Sequence, residues 1–389
     1  MIRSHNSLND LTVGNTYNII IKCKSIAIRR GTPMIKKLIQ LLTIMLLMTF
    51  TVAMTIHLVS SKSRNEVGSE VKASAEGSEH KLKIVTTIYP VYMIGLNIAN
   101  QINNIEVSSL IKLNTGCLHD YQLTTKDMKL IATADVLVIN GGGMEGFLSD
   151  IKANYPKLKI IDASQGISMI PGDEEEHNHD VSENEEHIDS KSEEGQEEKH
   201  EHGAYNPHVW LDPQLYIQQI QNVKNGLIEY IHEGNKKAYF NDLDTRINEN
   251  TDIYIQKVEK VNDLIEECRI RLQNASAKSN DNNGVVIFHD SFAYLAKRLN
   301  MKVAFAVELE ADTSLSAAEI ATIIDEVKKD RIKRLFTESQ YSDSIARQIG
   351  EESGAKVTII DSAVTGDGGK DSYLNSMMNN IKVLKNMEK

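Results

Sequence analysis

Two histidines and one aspartate follow predicted parallel strands, which is where open α/β sheets bind ligands, and a third histidine precedes a predicted helix. His289 directly follows the apolar run VVIF, Asp361 directly follows KVTII, and His119 comes a few residues after the run IEVSSLIKL. His208 lies in NPHVWLDP, ahead of a helix that Asp212 can cap. Imidazole and carboxylate groups are common ligands of divalent metals. The four residues are therefore candidates for one metal site.

This set of donors would complete a tetrahedral shell around zinc. Three imidazoles and one carboxylate leave no position for a reacting water, so the set favours holding or carrying the ion over hydrolysis. The sequence also contains no His-Glu-x-x-His helix, nucleophile elbow, phosphate loop or dinucleotide fingerprint. Any one of these histidines, taken alone, could equally be a hydrogen-bonded residue at a strand edge.

Apolar runs that alternate with helical stretches predict the scaffold of the site. Strands are predicted at LKIVTT, IEVSSLIKL, DVLVING and LKIIDAS, and again at VVIF, KVAFAV, RLFT and KVTII. Helices are predicted at 89–100, at TTKDMKLIATA, and at 291–299, 316–329 and 342–351. The glycine-rich INGGGMEGF is interpreted as a tight strand-to-helix turn. The alternation predicts an α/β protein with two doubly wound parallel-sheet lobes.

One long helical stretch separates the two sets of strands. Residues 235–275 show helical spacing of polar and apolar residues and contain neither glycine nor proline. A helix of roughly forty residues would be about 55–60 Å long, which exceeds the size of one small lobe. We predict a linker helix at 235–275 between an N-terminal lobe at 81–234 and a C-terminal lobe at 282–389.

The amino-terminal residues predict export. The first 64 residues contain nine Lys or Arg against Asp10, and the uncharged apolar run 38–59 is long enough to span a bilayer. This run is either a signal peptide or a membrane anchor, and MIKKLIQ indicates that Met34 is the true start. Residues 1–37 would then precede the membrane run as a cytoplasmic or n-region, and 60–80 would form a flexible tether.

Residues 173–202 carry the negative charge of the chain. They contain fourteen Asp or Glu and two Lys, a net charge of −12 within a total of −11. Because apolar residues are almost absent, we expect a disordered acidic insert. Its histidines could capture zinc weakly, although a merely solvated loop is the alternative. These histidines are His177, His179, His187, His200 and His202.

Four ordered blocks resemble the solute-binding proteins of zinc and manganese ABC importers (cluster A-I). The blocks are GCLHDYQLTTKDMKLIATADVLVINGGGMEGFL, NPHVWLDP, VVIFHDSFAYLAKRLNM and LFTESQYSDSIARQIGEESGAKVTIID. The resemblance covers nearly all of 82–389. It implies two α/β lobes joined by one long rigid helix, with the metal held in the cleft between the lobes.

The resemblance assigns the metal ligands to His119, His208, His289 and Asp361. Zinc-type members carry histidine at the third position and manganese-type members carry glutamate, so His289 implies Zn²⁺ first and Mn²⁺ second. Imidazole also favours zinc by its softness. The acidic, histidine-rich insert is a further mark of zinc-type members.

The chain departs from the family pattern near two of these ligands. Leu118 stands where many members have Pro or Glu, and the usual proline after Asp361 is missing. We interpret Cys117 as a partly buried free thiol, with a soft metal ligand as the alternative, and its pairing with Cys268 is left open. Asp120 and Asp290 each follow a ligand histidine and are expected to begin a helix or to support the ligand.

The function implied is capture of Zn²⁺ outside the cytoplasm, at the cell surface or in a periplasm, and delivery to an ABC permease with its ATPase. We expect a monomer without enzymatic activity or a nucleic-acid partner, and membrane association through 38–59 if that run is uncleaved. The alternatives are a manganese- or iron-binding member, a zinc hydrolase that uses Glu338 or Glu310 as its base, and a surface adhesin that borrows the fold.

Overall fold

The structure is a computed structural model that describes residues 81–115, 121–172, 204–234, 242–279, 282–307, 315–338 and 343–387. Several predictions concern residues outside these ranges: the amino-terminal segments to residue 80, the insert with its five histidines, Cys117, Leu118, His119, Asp120 and Glu310. No helix within the described ranges is long and apolar enough to cross a membrane.

The N-terminal lobe is built on a parallel four-stranded sheet with the order β2-β1-β3-β4. The apolar run VLVI forms β3, and all four of its side chains are buried, as expected for a central strand covered on both faces. The strands are β1 (Leu82–Thr86), β2 (Ile105–Ser109), β3 (Val136–Ile139) and β4 (Lys159–Asp162). The helices are α1 (Tyr89–Ile98), α2 (Thr125–Ile131), α3 (Leu148–Asn154) and α4 (Pro213–His232).

The C-terminal lobe repeats this topology with the sheet order β6-β5-β7-β8, and its strands are also parallel. Its first and third strands, β5 and β7, are fully buried. The strands are β5 (Gly284–Ile287), β6 (Lys302–Ala306), β7 (Arg334–Glu338) and β8 (Lys356–Ile360). The helices are α6 (Ala293–Arg298), α7 (Ala317–Lys329), α8 (Ser344–Ser353) and α9 (Ser372–Lys385).

The long helix α5 spans Leu243–Ser279, so it begins and ends later than the predicted range 235–275. At its start Asp242 has φ 61°, a left-handed conformation that cannot continue a right-handed helix. At its end, residues 276–279 contain no glycine or proline, so the helix continues past the predicted end at 275. The helix has 37 residues, which corresponds to about 55 Å.

One hydrophobic cluster extends across both lobes, and a second lies within the C-terminal lobe. Buried side chains of the first sheet, of α4, α5 and α9, and of β5 belong to a single contiguous cluster. The loop after β8 is also hydrogen-bonded to the N-terminal lobe: Asn97 Nδ2 donates to the Lys370 carbonyl at 2.7 Å, and Gly366 N donates to the Leu113 carbonyl at 3.2 Å. The lobes are therefore fastened at this loop as well as by α5.

Candidate metal centre

His208 lies on the short segment that precedes α4 in the N-terminal lobe. Its side chain is fully buried, and its ring packs edge-on against Trp210 with centroids 5.1 Å apart. Asn206 Oδ1 accepts the backbone N–H of His208 at 3.0 Å and also lies 3.0 Å from its Nδ1. Asn206 Nδ2 donates to the Asp290 carbonyl at 2.9 Å, so the segment is bound directly to the C-terminal lobe.

His289 follows β5 at the carboxyl edge of the second sheet and is 2% exposed. The preceding residue, Phe288, donates its backbone N–H to Phe336 of β7 at 2.8 Å, which holds the two strand ends together. As a result His289 Nδ1 lies 2.9 Å from Glu338 Oε1 and 2.8 Å from Ser291 Oγ. Its other ring nitrogen, Nε2, faces Asp290.

His208, His289 and Asp290 bring one ligand atom each within 4.8 Å of one another. Asp290 Oδ1 is 3.3 Å from His208 Nδ1 and 3.5 Å from His289 Nε2. Two ligands that each lie about 2.0–2.1 Å from a tetrahedral zinc are separated by roughly 3.3–3.4 Å. The 3.5 Å between Asp290 Oδ1 and His289 Nε2 is close to the spacing of neighbouring ligands around one cation, whereas the contact with His208 is to Nδ1, which also faces Asn206.

Asp290 plays a larger part than the sequence analysis expected. It does begin a short 3-10 helix, Asp290–Phe292, as predicted for a residue after a ligand histidine. Its carboxylate, however, lies between both imidazoles, and its side chain is 25% exposed whereas the two histidines are buried. A cavity of about 510 Å³ borders Asp290 on the solvent side and is also lined by Asn206, Lys297 and Met301.

Asp361 follows β8, as predicted, but lies outside this group of three. Its Oδ1 accepts the backbone N–H of Ala363 at 2.8 Å, and Asn380 bonds both its backbone N–H and its carbonyl. The next residue, Ser362, accepts a hydrogen bond from Trp210 Nε1 at 2.8 Å, which links this loop to the ring that packs on His208. The ligand roles of Asp361 and of His119 remain predictions.

Glu338 is a buried carboxylate at the end of β7, the third strand of its lobe. In the N-terminal lobe a buried carboxylate, Glu145, follows β3, which is also the third strand. Glu145 accepts hydrogen bonds from Thr87 Oγ1 at 2.6 Å and from the backbone N–H groups of Asn140 and Gly141 at 2.7 and 3.1 Å. Burial raises the pKa of Glu145 to about 7, although these bonds favour its charged form. The turn before it contains Gly141 with φ 83°, which is consistent with the predicted strand-to-helix turn.

Sequence reasoning missed the groups that support the two imidazoles. Glu338 was considered only as a catalytic base, and Asn206 and Ser291 were not considered. The available signals were the asparagine two residues before His208 in NPH, the serine two residues after His289, and the glutamate at the end of the strand beside β5. None of these signals specifies a hydrogen bond until the sheet order is known.

The sequence model of the family described as "ZnuA: Zinc-uptake complex component A periplasmic" matches residues 84–387. The chain belongs to this family. The family consists of solute-binding proteins, which agrees with the resemblance carried by the four sequence blocks. The match begins within β1 and ends after α9, so it includes both lobes and α5.

Curated relatives of this ZnuA-family chain are named for zinc. The zinc-binding protein AdcA of Streptococcus pyogenes serotype M3 is 31% identical over 73% of this chain and 50% of its own length. The high-affinity zinc uptake system protein ZnuA of Bacillus subtilis is 27% identical over 82% of this chain and 91% of its own length. The chain thus spans about half the length of the streptococcal relatives that it matches.

Solved structures confirm the predicted fold of the family member. The Zn(II)-bound ZnuA-like domain of AdcA from Streptococcus pneumoniae has a TM-score of 0.59 and 24% identity, over 79% of this chain and 100% of that domain. A crystal structure of ZnuA has a TM-score of 0.56 and 21% identity, over 78% of this chain and 98% of the ZnuA chain. The prediction of two α/β lobes with parallel sheets is confirmed.

Proposed function

We propose that this chain captures Zn²⁺ outside the cytoplasmic membrane and delivers it to an ABC permease and its ATPase. The observation that carries the proposal is the grouping of two buried imidazoles, His208 and His289, with the carboxylate of Asp290, so that one ligand atom of each lies within 4.8 Å of the others. Membership of a family described as a periplasmic zinc-uptake component supports the location and the role in uptake. The names of AdcA and ZnuA support zinc as the cargo.

We propose His119, His208, His289 and Asp361 as the zinc ligands. His208 and His289 are already adjacent, with ring centroids 5.1 Å apart, and Asp361 lies on a loop that is bonded to Trp210 beside His208. Zinc is favoured over manganese because imidazole nitrogen suits zinc better than the harder Mn²⁺. The histidines of the insert would supplement capture and would not form the tight site.

We propose that the chain has no hydrolase activity. The hydrolase alternative needs Glu338 to activate a water, yet its side chain is 1% exposed and its Oε1 is bonded to Nδ1 of His289. A buried carboxylate that faces the far side of an imidazole cannot reach a water on a metal bound at Nε2. Glu338 therefore fits a supporting role better than a catalytic one.

The direct test is metal analysis of protein purified without added metal, followed by competition between Zn²⁺ and Mn²⁺ for the metal-free chain. We expect one tight zinc per chain, little displacement by manganese, and no turnover of ester or peptide substrates. Tight manganese retention in the presence of zinc would overturn the choice of cargo. Protease treatment of intact cells tests the location, because an exported chain is accessible from outside.

A further inference from the structure

Both imidazoles of the site direct Nδ1 towards oxygen atoms of the protein. His289 Nδ1 faces Glu338 Oε1 and Ser291 Oγ, and His208 Nδ1 faces Asn206 Oδ1. The orientation of the Asn206 amide is fixed by its other bonds, because Oδ1 accepts the His208 backbone N–H while Nδ2 donates to a carbonyl. Carboxylate and amide oxygens only accept. His289 Nδ1 is 2.9 Å from Glu338 Oε1 whereas its Nε2 is 3.5 Å from Asp290 Oδ1, so the shorter contact places the proton on Nδ1 and the lone pair on Nε2.

The two imidazoles differ in the groups that Nδ1 contacts. His208 Nδ1 faces the neutral amide of Asn206 at 3.0 Å and the partly exposed carboxylate of Asp290 at 3.3 Å, whereas His289 Nδ1 faces the buried carboxylate of Glu338 at 2.9 Å. Glu338 is the last residue of β7, which pairs with β5, so the sheet itself places the carboxylate under His289. Within the described residues, the groups that hydrogen-bond to this carboxylate are His289 and Ser291.

We propose that Glu338 is a positioning residue that selects the Nδ1–H tautomer of His289 and makes its Nε2 the stronger metal donor. A carboxylate that accepts the Nδ1 proton fixes the ring orientation and raises the basicity of the opposite nitrogen. The buried negative charge is in turn balanced when a divalent cation binds at Nε2. The statement about metal strength rests on the proposed zinc function, whereas the statement about the tautomer does not.

The tautomer is tested on the full chain without metal by ¹⁵N NMR of labelled histidine side chains at about pH 8.5, above the usual histidine range. The His289 signals are assigned by their loss in His289→Gln. We expect the proton of His289 on Nδ1. In Glu338→Ala we expect a mixture that includes Nε2–H, because the carboxylate acceptor is gone and the Ser291 hydroxyl that remains can donate as well as accept. In Glu338→Gln we expect Nδ1–H to persist, because the amide oxygen still accepts. A parent His289 with its proton on Nε2, or an unchanged tautomer in Glu338→Ala, would overturn the assignment.

The charge is tested by zinc competition on Glu338→Gln, which keeps the volume and the acceptor and removes only the negative charge. We expect zinc affinity to fall about 10- to 100-fold, the usual effect of losing such a partner. Glu145→Gln is the matched control, since it neutralises a buried carboxylate whose hydrogen-bond partners are a hydroxyl and backbone N–H groups and include no imidazole. We expect parental affinity in this control.

Two results separate the inference from the proposed function. If Glu338→Gln binds zinc as tightly as the parent, the electrostatic role of Glu338 is wrong even though zinc is the cargo. If the parent binds no zinc, the proposed function fails and the NMR result still decides the tautomer. Should Glu338→Ala fail to fold, judged by circular dichroism, the isosteric Glu338→Gln still tests the charge through its affinity.

Discussion

The two lobes solve the same structural problem with different chemistry. In each sheet the first and third strands are neighbours, and a buried carboxylate connects the chain segments that follow or end them. In the N-terminal lobe Glu145 connects to Thr87, and in the C-terminal lobe Glu338 connects to His289. The topology is repeated, but only the second lobe has an imidazole at this position.

The difference shows how one residue changes what a strand end can bind. The hydroxyl of Thr87 donates a hydrogen bond to Glu145, and this side chain has no second atom to offer a metal. The imidazole of His289 uses Nδ1 on Glu338 and keeps a second nitrogen for a ligand. We therefore expect a buried carboxylate at this edge to be structural beside threonine and, under the proposed function, to support metal binding beside histidine.

The largest loss of zinc affinity should follow when His289 is replaced by threonine, the residue type at the matching place in the N-terminal lobe. We expect His289→Thr to lower zinc affinity about 100- to 1000-fold, because one of the four proposed ligands is lost and structural zinc sites bind with about 10–16 kcal/mol in total. The fold should persist, since a threonine hydroxyl can bond to Glu338 as Thr87 bonds to Glu145. Isothermal titration calorimetry with a competing chelator measures the affinity.

The matched control for this exchange is His232→Thr. His232 is at the end of α4, and its side chain is 41% exposed and faces Asp244 at 3.3 Å. We expect this variant to bind zinc like the parent. If both variants lost affinity equally, or if neither did, His289 would not be a ligand. The inferred difference between the two lobes would then be wrong.

The next effect concerns Glu145 and the pH dependence of stability. Burial raises its pKa from 4.5 to about 7, so between these pH values the folded chain binds more protons than the unfolded chain. The protonated carboxyl of Glu145 therefore contributes to the free energy of unfolding below pH 4.5, and this contribution is lost as the pH rises to about 7. The loss is on the order of 3 kcal/mol. The variant Glu145→Gln cannot titrate at this position, so its free energy of unfolding should lack this pH-dependent loss.

This prediction is measured by urea unfolding of parent and variant, without metal, at several pH values from 4.5 to 8. The difference between the two chains isolates Glu145 from the histidines that titrate in the same range. Zinc affinity at pH 7.5 should stay unchanged. A constant difference in stability across the range would show that Glu145 is ionised throughout and would contradict the raised pKa.

A smaller effect is expected when the insert 173–202 is deleted. Its histidines lie in a sequence dominated by Asp and Glu, whereas the side chains of His208 and His289 are buried. We expect the deletion to change the affinity of the tight site by less than a factor of about ten, which is about 1.4 kcal/mol. Calorimetry on the deletion variant and on His289→Thr provides the comparison. Equal losses would make the insert the principal zinc site.

The elements that the sequence predicted well are those in which local pattern and tertiary environment agree. Buried strands such as VVIF and KVTII read as uninterrupted apolar runs because the sheet is covered on both faces. Helix α9 was not predicted, since its polar residues, among them Ser376 and Asn380, are buried against the loop after β8 and weaken its amphipathic pattern.

The support of the site could not be predicted for a different reason. Glu338 and His289 are 49 residues apart, and their contact depends on β7 lying beside β5 and on both strands ending at the same level. Asn206 and Asp290 similarly meet only because a segment of one lobe crosses to the other. Spacing along the sequence therefore identified ligand candidates, whereas their hydrogen-bond partners required the register of the sheet.

The smallest expected effect is a change of overall size when zinc binds. The lobes are joined by α5, whose 37 residues have a continuous hydrogen-bond ladder, and the loop after β8 is bonded to the N-terminal lobe through Lys370 and Gly366. Wide hinge closure would have to bend this helix and break these bonds. Small-angle scattering of metal-free and zinc-loaded protein lacking 173–202 should show a change of only a few per cent in a radius of gyration near 19 Å, the value for about 300 compact residues. A large decrease on loading would show that the lobes close as rigid bodies, and metal release would then depend on lobe opening. A small change means that release depends on local movement of the segments that carry His208 and His289.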